Sequence, residues 1–172
     1  MFFKGKIIWT VFAILCFLAF LSACGYRFAG GGTLPSGINS VCVTILENRT
    51  SEIGIENTFT SDLIYEFTRK GKIASMDKAD ALLSGVVKSM SIETISHRGA
   101  QTSLERRVTF TLDLKLTDKD GRILWSTKGI SGNEAYVVVS DKLLTEQKRH
   151  DAISTLSTRL AEKVYNSLTE DF

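Results

Sequence analysis

The chain has 172 residues, 44% of them apolar and 23% charged, with a formal net charge of +2 and three cysteines. With 21 Lys and Arg against 19 Asp and Glu, no cationic excess exists to neutralise a run of phosphates, which argues against sequence-independent nucleic-acid binding. One proline and a mean hydropathy of +0.06 argue against a disordered chain.

The first residues distort these totals. Residues 1–6 carry Lys4 and Lys6 and no acid, and residues 7–21 form a run of fifteen without a charge. That layout is a secretory signal peptide, too short for the roughly 20 apolar residues of a spanning helix. It ends in Leu21-Ser22-Ala23-Cys24, which has the form of a bacterial lipobox. The expected consequence is diacylglycerol on the Cys24 thiol, cleavage before it, and palmitate or a similar acyl chain on the new amino group. Three acyl chains exceed the two signals that stable anchoring needs. Gly25 follows, where an Asp would favour retention at the inner membrane, so the outer membrane is the expected destination.

Removal of residues 1–23 leaves 149, takes two lysines and no acid, and brings the mature net charge to zero. Cys16 leaves with the signal and Cys24 is blocked, so Cys42 remains alone and no intramolecular disulfide is available. An exported domain of this length must then be held by its core. Cys42 lies in an apolar run and reads as a buried, inert thiol.

Residues 24–37 contain five of the thirteen glycines and the only proline and read as the lipidated Cys followed by a flexible tether. The folded domain is expected over 38–172. Residues 38–46 form an apolar, β-branched strand, followed by a polar turn over 47–51. Ile55, Phe59, Leu63, Ile64 and Phe67 mark one stripe of a helix that ends near Lys70, with Arg69 and Lys70 in its last turn and Gly71 as its cap. A short extended piece over 73–79 precedes a long strand over 81–95, where a change of apolar parity predicts a bulge. Residues 96–101 read as a turn. Val108, Phe110, Leu112, Leu114 and Leu116 then alternate with Arg107, Thr109, Thr111, Asp113 and Lys115, one dry and one wet face of a strand. Asp118-Lys119-Asp120-Gly121 turns the chain into a return strand over 122–130, and 131–139 is ambiguous, interrupted by Gly132-Asn133. Residues 141–168 lack Gly and Pro and carry Leu143, Leu144, Ile153, Leu156, Leu160, Val164 and Leu168 at helical spacing. The order β-α-β-β-β-α predicts an α+β two-layer sandwich: a mainly antiparallel sheet of about four strands with both helices on its dry face.

Catalytic signatures are missing. His97 and His150 belong to no metal-ligand spacing, Gly30-Gly31-Gly32 lacks the spacing of a phosphate loop, and Cys42 has no base nearby in sequence. No enzyme, no metal and no cofactor is expected. The basic residues are more informative. Arg98, Arg106 and Arg107 group at the turn between the second and third strands, while Lys142, Lys148 and Arg149 precede or open the last helix. Each alone reads as a solvated rim; together they suit an anionic head group, which Arg grips with a bidentate fork.

Cys24-Gly25-Tyr26-Arg27-Phe28, the step Leu34-Pro35, the turn around Arg98-Gly99 and the closing stretch 160–168 occur in an order that resembles LptE, the lipopolysaccharide-assembly lipoprotein family of Gram-negative outer membranes. The resemblance implies a non-enzymatic plug and assembly partner of the β-barrel protein LptD, binding lipopolysaccharide during its delivery to the outer leaflet. It implies lipopolysaccharide contacts at Arg98, with Arg106 and Arg107 beside it, and at Lys142. The partners so implied are an LptD-like barrel, lipopolysaccharide and, through the acyl chains, the membrane. The alternative is a lipoprotein scaffold, such as a secretin pilotin, of another envelope machine.

Overall fold

The computed structural model describes residues 32–98 and 103–170. The expected signal peptide, Cys24 and the first part of the expected tether lie outside the described residues, as do residues 99–102, which include part of the turn expected over 96–101. Among the described residues the elements are a 3-10 turn (Pro35–Gly37), β1 (Val41–Val43), β2 (Glu47–Asn48), α1 (Ile55–Arg69), β3 (Ala81–Arg98), β4 (Ser103–Asp118), β5 (Ile123–Val138) and α2 (Lys142–Glu170). No described helix is long and apolar enough to cross a membrane.

The strands form one mixed sheet in the order β1-β3-β4-β5, with β2 also paired to β3. β1 and β2 run parallel to β3, and β3, β4 and β5 form an antiparallel meander. The α+β sandwich expected from the sequence is thus present, with one strand more. The predicted strand over 38–46 is divided because buried Leu46 turns its N–H to Thr60 Oγ1 of α1 (3.0 Å). The chain rejoins the sheet at Glu47, where the polar turn was expected, and pairs Glu47 with Val86 and Asn48 with Val87. Asp80 fixes the other end of β1 by accepting the backbone N–H groups of Asn39 (3.0 Å) and Ser40 (3.1 Å) and the Ser40 hydroxyl (2.9 Å). These bonds, that from Asn39 first, hold its carboxyl below the ordinary aspartate value.

Both helices lie on one face. Ile55, Phe59, Leu63 and Phe67 of α1 are buried as the stripe requires. Phe59 meets Phe110 of β4 edge-on at 5.3 Å, and Phe67 meets Tyr165 of α2 in the same way. Ile64 departs from the expectation and is half-exposed, because at one residue from Leu63 it is rotated off the stripe. Left-handed Gly71 (φ +66°) ends the helix as predicted. The expected tether also ends earlier than 37: Leu34 and Pro35 are buried, and Leu34 joins the core. Cys42, on the alternate parity of β1, is half-buried instead of enclosed.

β5 runs eight residues past its predicted end, through Gly132-Asn133 to Val138. A Cβ at Gly132 would stand 2.9 Å from Leu156 Cδ1 and 3.1 Å from Leu160 Cδ2, so the glycine that reads as a breaker is there to let α2 lie close over the strand. The start of α2 is set by Asp141, whose Oδ1 accepts the N–H groups of Leu143 and Leu144, a standard N-cap. Buried Thr145 binds both the N–H and the carbonyl of Val139 through its hydroxyl. With Thr145 facing inward, Leu143 and Leu144 are phased outward and exposed, contrary to the predicted apolar stripe.

Candidate functional site

The two halves of the sheet are covered unequally. α1 begins near the level where Arg49 N–H meets the Val87 carbonyl, so the helix layer over β3 stops there. Beyond it, residues 91–95 of β3 are exposed on both parities, including Ile92 and Ile95. α2 continues farther along β5 and buries Tyr136. The upper end of the described sheet is therefore three strands, β3, β4 and β5, covered on the helix side only by the first turns of α2 over β5.

The predicted cationic residues fall on this upper end but not in one cluster. Arg98 is the last residue of β3, paired in register with Ser103, and not part of a turn; its side chain lies outside the described residues. Arg106 and Arg107 are within β4, opposite Thr94 and Glu93 of β3. As neighbours in a strand they face opposite sides of the sheet. Arg106 shares the parity of Val108 and faces the helix side, whereas Arg107 shares that of Thr109 and lies on the open face. The alternation of β4, carried two residues toward its start, contains this separation, so the sequence signal was present. Lys142 is exposed at the first position of α2.

The helix-side corner is electrostatically coupled. Glu146, one turn beyond Lys142, is held below its ordinary value by a hydrogen bond from Arg149, with smaller contributions from the charges of His150 and Arg106. Arg106 and the opening of α2 are thus brought to one corner. Arg149 is committed to structure: it pairs with Glu52 in the loop before α1 and with Glu146, each at 2.8 Å. Burial works against its charge, and the bonds to the two carboxylates outweigh that cost. Asn48 is likewise occupied, donating to the Glu52 carbonyl and to Glu56 Oε2 and accepting from Thr50.

The open face holds a feature that sequence reasoning traced on β4 alone. In register across β3, β4 and β5 lie the rows Ser89, Thr111, Ser131; Ser91, Thr109, Asn133; and Glu93, Arg107, Ala135. No described element covers them. Below these rows, Asp113 accepts the Gly129 N–H at 2.7 Å and pairs with Lys88 at 3.4 Å. Among the described residues no group of His, Cys, Asp and Glu is placed to hold a metal.

A profile of the lipopolysaccharide-assembly family LptE matches residues 38–168. The chain belongs to the LptE family. The match spans everything from the residues before β1 to the last turns of α2, so the LptE assignment rests on the whole sandwich. Solved structures share the fold. An uncharacterized lipoprotein B from Nitrosomonas europaea is 15% identical, with 84% of this chain and 90% of that one covered and a TM-score of 0.54. A lipoprotein from Caulobacter crescentus CB15 is 14% identical, with 73% and 88% covered and a TM-score of 0.50. No curated protein sequence matches the chain significantly. The described surface of this LptE-family member has a polar sheet face and a corner where Arg106 and Lys142 are edged by exposed apolar side chains.

Proposed function

We propose that this LptE-family protein is an outer-membrane lipoprotein, anchored through acylated Cys24, that plugs and helps assemble an LptD-like β-barrel and binds lipopolysaccharide on its way to the outer leaflet. The observation that carries the reading is the uncovered polar face. Two of its three rows across β3, β4 and β5 consist wholly of Ser, Thr and Asn. A barrel lumen is itself polar, and a hydroxyl-rich sheet whose third row sets Glu93 opposite Arg107 in register can exchange water for polar lumen side chains at low cost.

The helix-side corner is assigned to the lipid. Arg106 and Lys142 supply charge for phosphate there, and exposed Ile92, Leu143 and Leu144 supply apolar surface for acyl chains; Arg98, at the end of β3, is a further candidate for the lipid. Arg107, on the other face, is assigned to the barrel side beside Glu93. Catalysis has no place in this reading.

Affinity purification of the tagged, lipidated protein from gently solubilised membranes tests it. A large β-barrel protein is expected in near-equal amount, and recovery of the chain alone contradicts the proposal. Depletion that abolished protein secretion while lipopolysaccharide export continued would assign the chain to a pilotin role instead.

A further inference from the structure

β5 is an edge strand of the sheet among the described residues, and its two halves are treated differently. The lower half is blunted, as edge strands of exported proteins need to be if they are to avoid pairing with other chains. It carries Lys128, a bulge between the Leu112 and Leu114 pairings, and left-handed Gly129 (φ +71°). At Ser131, Lys163 of α2 reaches over and donates to the outward carbonyl at 3.0 Å.

That contact fixes the direction of every later backbone group. If the Ser131 carbonyl faces away from β4, the period of two turns the N–H and C=O of Asn133, Ala135 and Val137 outward as well. The opposite side of the sheet gives the same result. Leu83 and Val87 present their carbonyls to Thr44 and Arg49, so odd residues of β4 bond β3, meeting its even residues below the bulge at Lys88 and its odd residues above it. Even residues of β4 are then left for even residues of β5. Among the described residues nothing takes the outward groups of 133–137. The segment has no bulge and no proline, and its one charge, Glu134, points to the helix side and is paired with Arg159. Beside it, between the strand and α2, runs a groove of about 320 Å³ lined by Tyr136, Lys148, Asp151, Ala152 and Thr155, among others.

We propose that residues 133–137 accept one extended segment of the barrel partner as an additional strand of the sheet. The inference rests on the barrel-plug reading. A second copy of this chain is a poor occupant on steric grounds. Strand pairing would bring two β5 strands to about 4.8 Å, and α2 overlies β5 so closely that Gly132 is required beneath Leu156; the two α2 helices would collide, since packed helices need about 8–10 Å. The occupant must carry no helix over it. A closed barrel has no spare edge, so the segment is an inward-folded loop or a terminal stretch of the barrel protein. Its side chains on the helix side meet Lys148, Asp151 and Thr155, so they are polar or small. Backbone bonds supply the affinity and the groove supplies the selectivity, the usual division in strand addition.

Hydrogen exchange, read at single residues on the full lipidated chain alone and in complex with the co-purifying barrel, tests the proposal. The amides of Asn133, Ala135 and Val137 are expected to slow by about a hundredfold in the complex, while those of Glu134 and Tyr136, already in the ladder, change little. A complex in which those three amides still exchange freely overturns the strand-addition proposal and leaves the plug reading standing. Failure to recover any barrel overturns both. Protection in the chain alone, accompanied by dimer formation in sedimentation, assigns the edge to a second copy and overturns the proposal. In a variant arm, Ala135→Pro removes one outward N–H at a position where an edge strand tolerates proline. It is expected to lower barrel recovery by about tenfold or more with the unfolding temperature of the chain nearly unchanged, while Ala135→Val retains recovery. Equal recovery with both variants contradicts the proposal.

Discussion

The lower and upper halves of one sheet follow different rules. Below the level of Val87, the alternate residues Leu83, Val87, Leu112, Leu114 and Leu116 are buried under two helices, and polar groups there serve as fasteners, as Asp80 does for β1. Above it, β3 is exposed on both parities, with Ile92 and Ile95 in solvent. On the helix side the charge of Arg106 reaches Glu146, and the opening of α2 carries exposed leucines. The lower half explains why the chain folds. The upper half still sends Val108, Phe110 and Tyr136 into the core from β4 and β5, but residues 91–95 of β3 and the exposed opening of α2 add little to it, so their residue choices point to recognition.

The largest effects on stability are therefore expected below. Phe59→Ala removes a fully buried ring and its edge contact with Phe110 and should cost about 3–5 kcal/mol by denaturant unfolding. Gly85→Ala comes next. Its Cβ would stand 2.5 Å from the Asp113 carbonyl oxygen and 2.4 Å from Leu114 Cδ2, and because backbone must move, a loss of about 2–3 kcal/mol is expected. A variant of either kind with wild-type stability would break the assignment of the lower half to the core.

Acid should act on the fasteners. Asp80 and Asp113 are held below their ordinary value of 3.8, chiefly by the N–H groups of Asn39 and Gly129 respectively. A carboxylate whose folded value is depressed contributes stability above its unfolded value, and that contribution is lost as pH falls through the folded one. The unfolding temperature should then hold steady at neutral pH and drop as pH passes below about 4. Asp80→Asn should flatten that drop; an unchanged profile would remove Asp80 from the account. The smallest effect is expected from Tyr165→Phe. The Tyr165 hydroxyl is buried with no partner among the described residues, so its removal should leave stability within about 0.5 kcal/mol of the parent or raise it slightly.

Much of the lower half was legible in the sequence because its signals are local. The stripe and cap of α1, the alternation of β4, the bulge in β3 and the Asp-Gly turn each depend on residues within a few positions of one another. The misreadings come from distant partners. Gly132 reads as a breaker until Leu156 and Leu160 are placed above it. Leu143 and Leu144 fit a helical stripe until Thr145 is seen to bind Val139. β2 exists because Thr60 takes the N–H of Leu46. The basic group was read as a patch from nearness in sequence, although strand parity alone separates Arg106 from Arg107. The rows of hydroxyls on the open face needed the registers of three strands, which no single segment carries.

The central claim is that the upper corner binds an anionic lipid while contributing little to the fold. Its most direct test is a titration of lipopolysaccharide against the purified chain, comparing the double variant Arg106→Glu, Lys142→Glu with Arg107→Glu on the other face. The account predicts about tenfold weaker binding for the first, a loss near 1.4 kcal/mol, and little change for the second, with both variants unfolding within about 0.5 kcal/mol of the parent. Equal affinity in all three proteins, or equal loss in both variants, would contradict it.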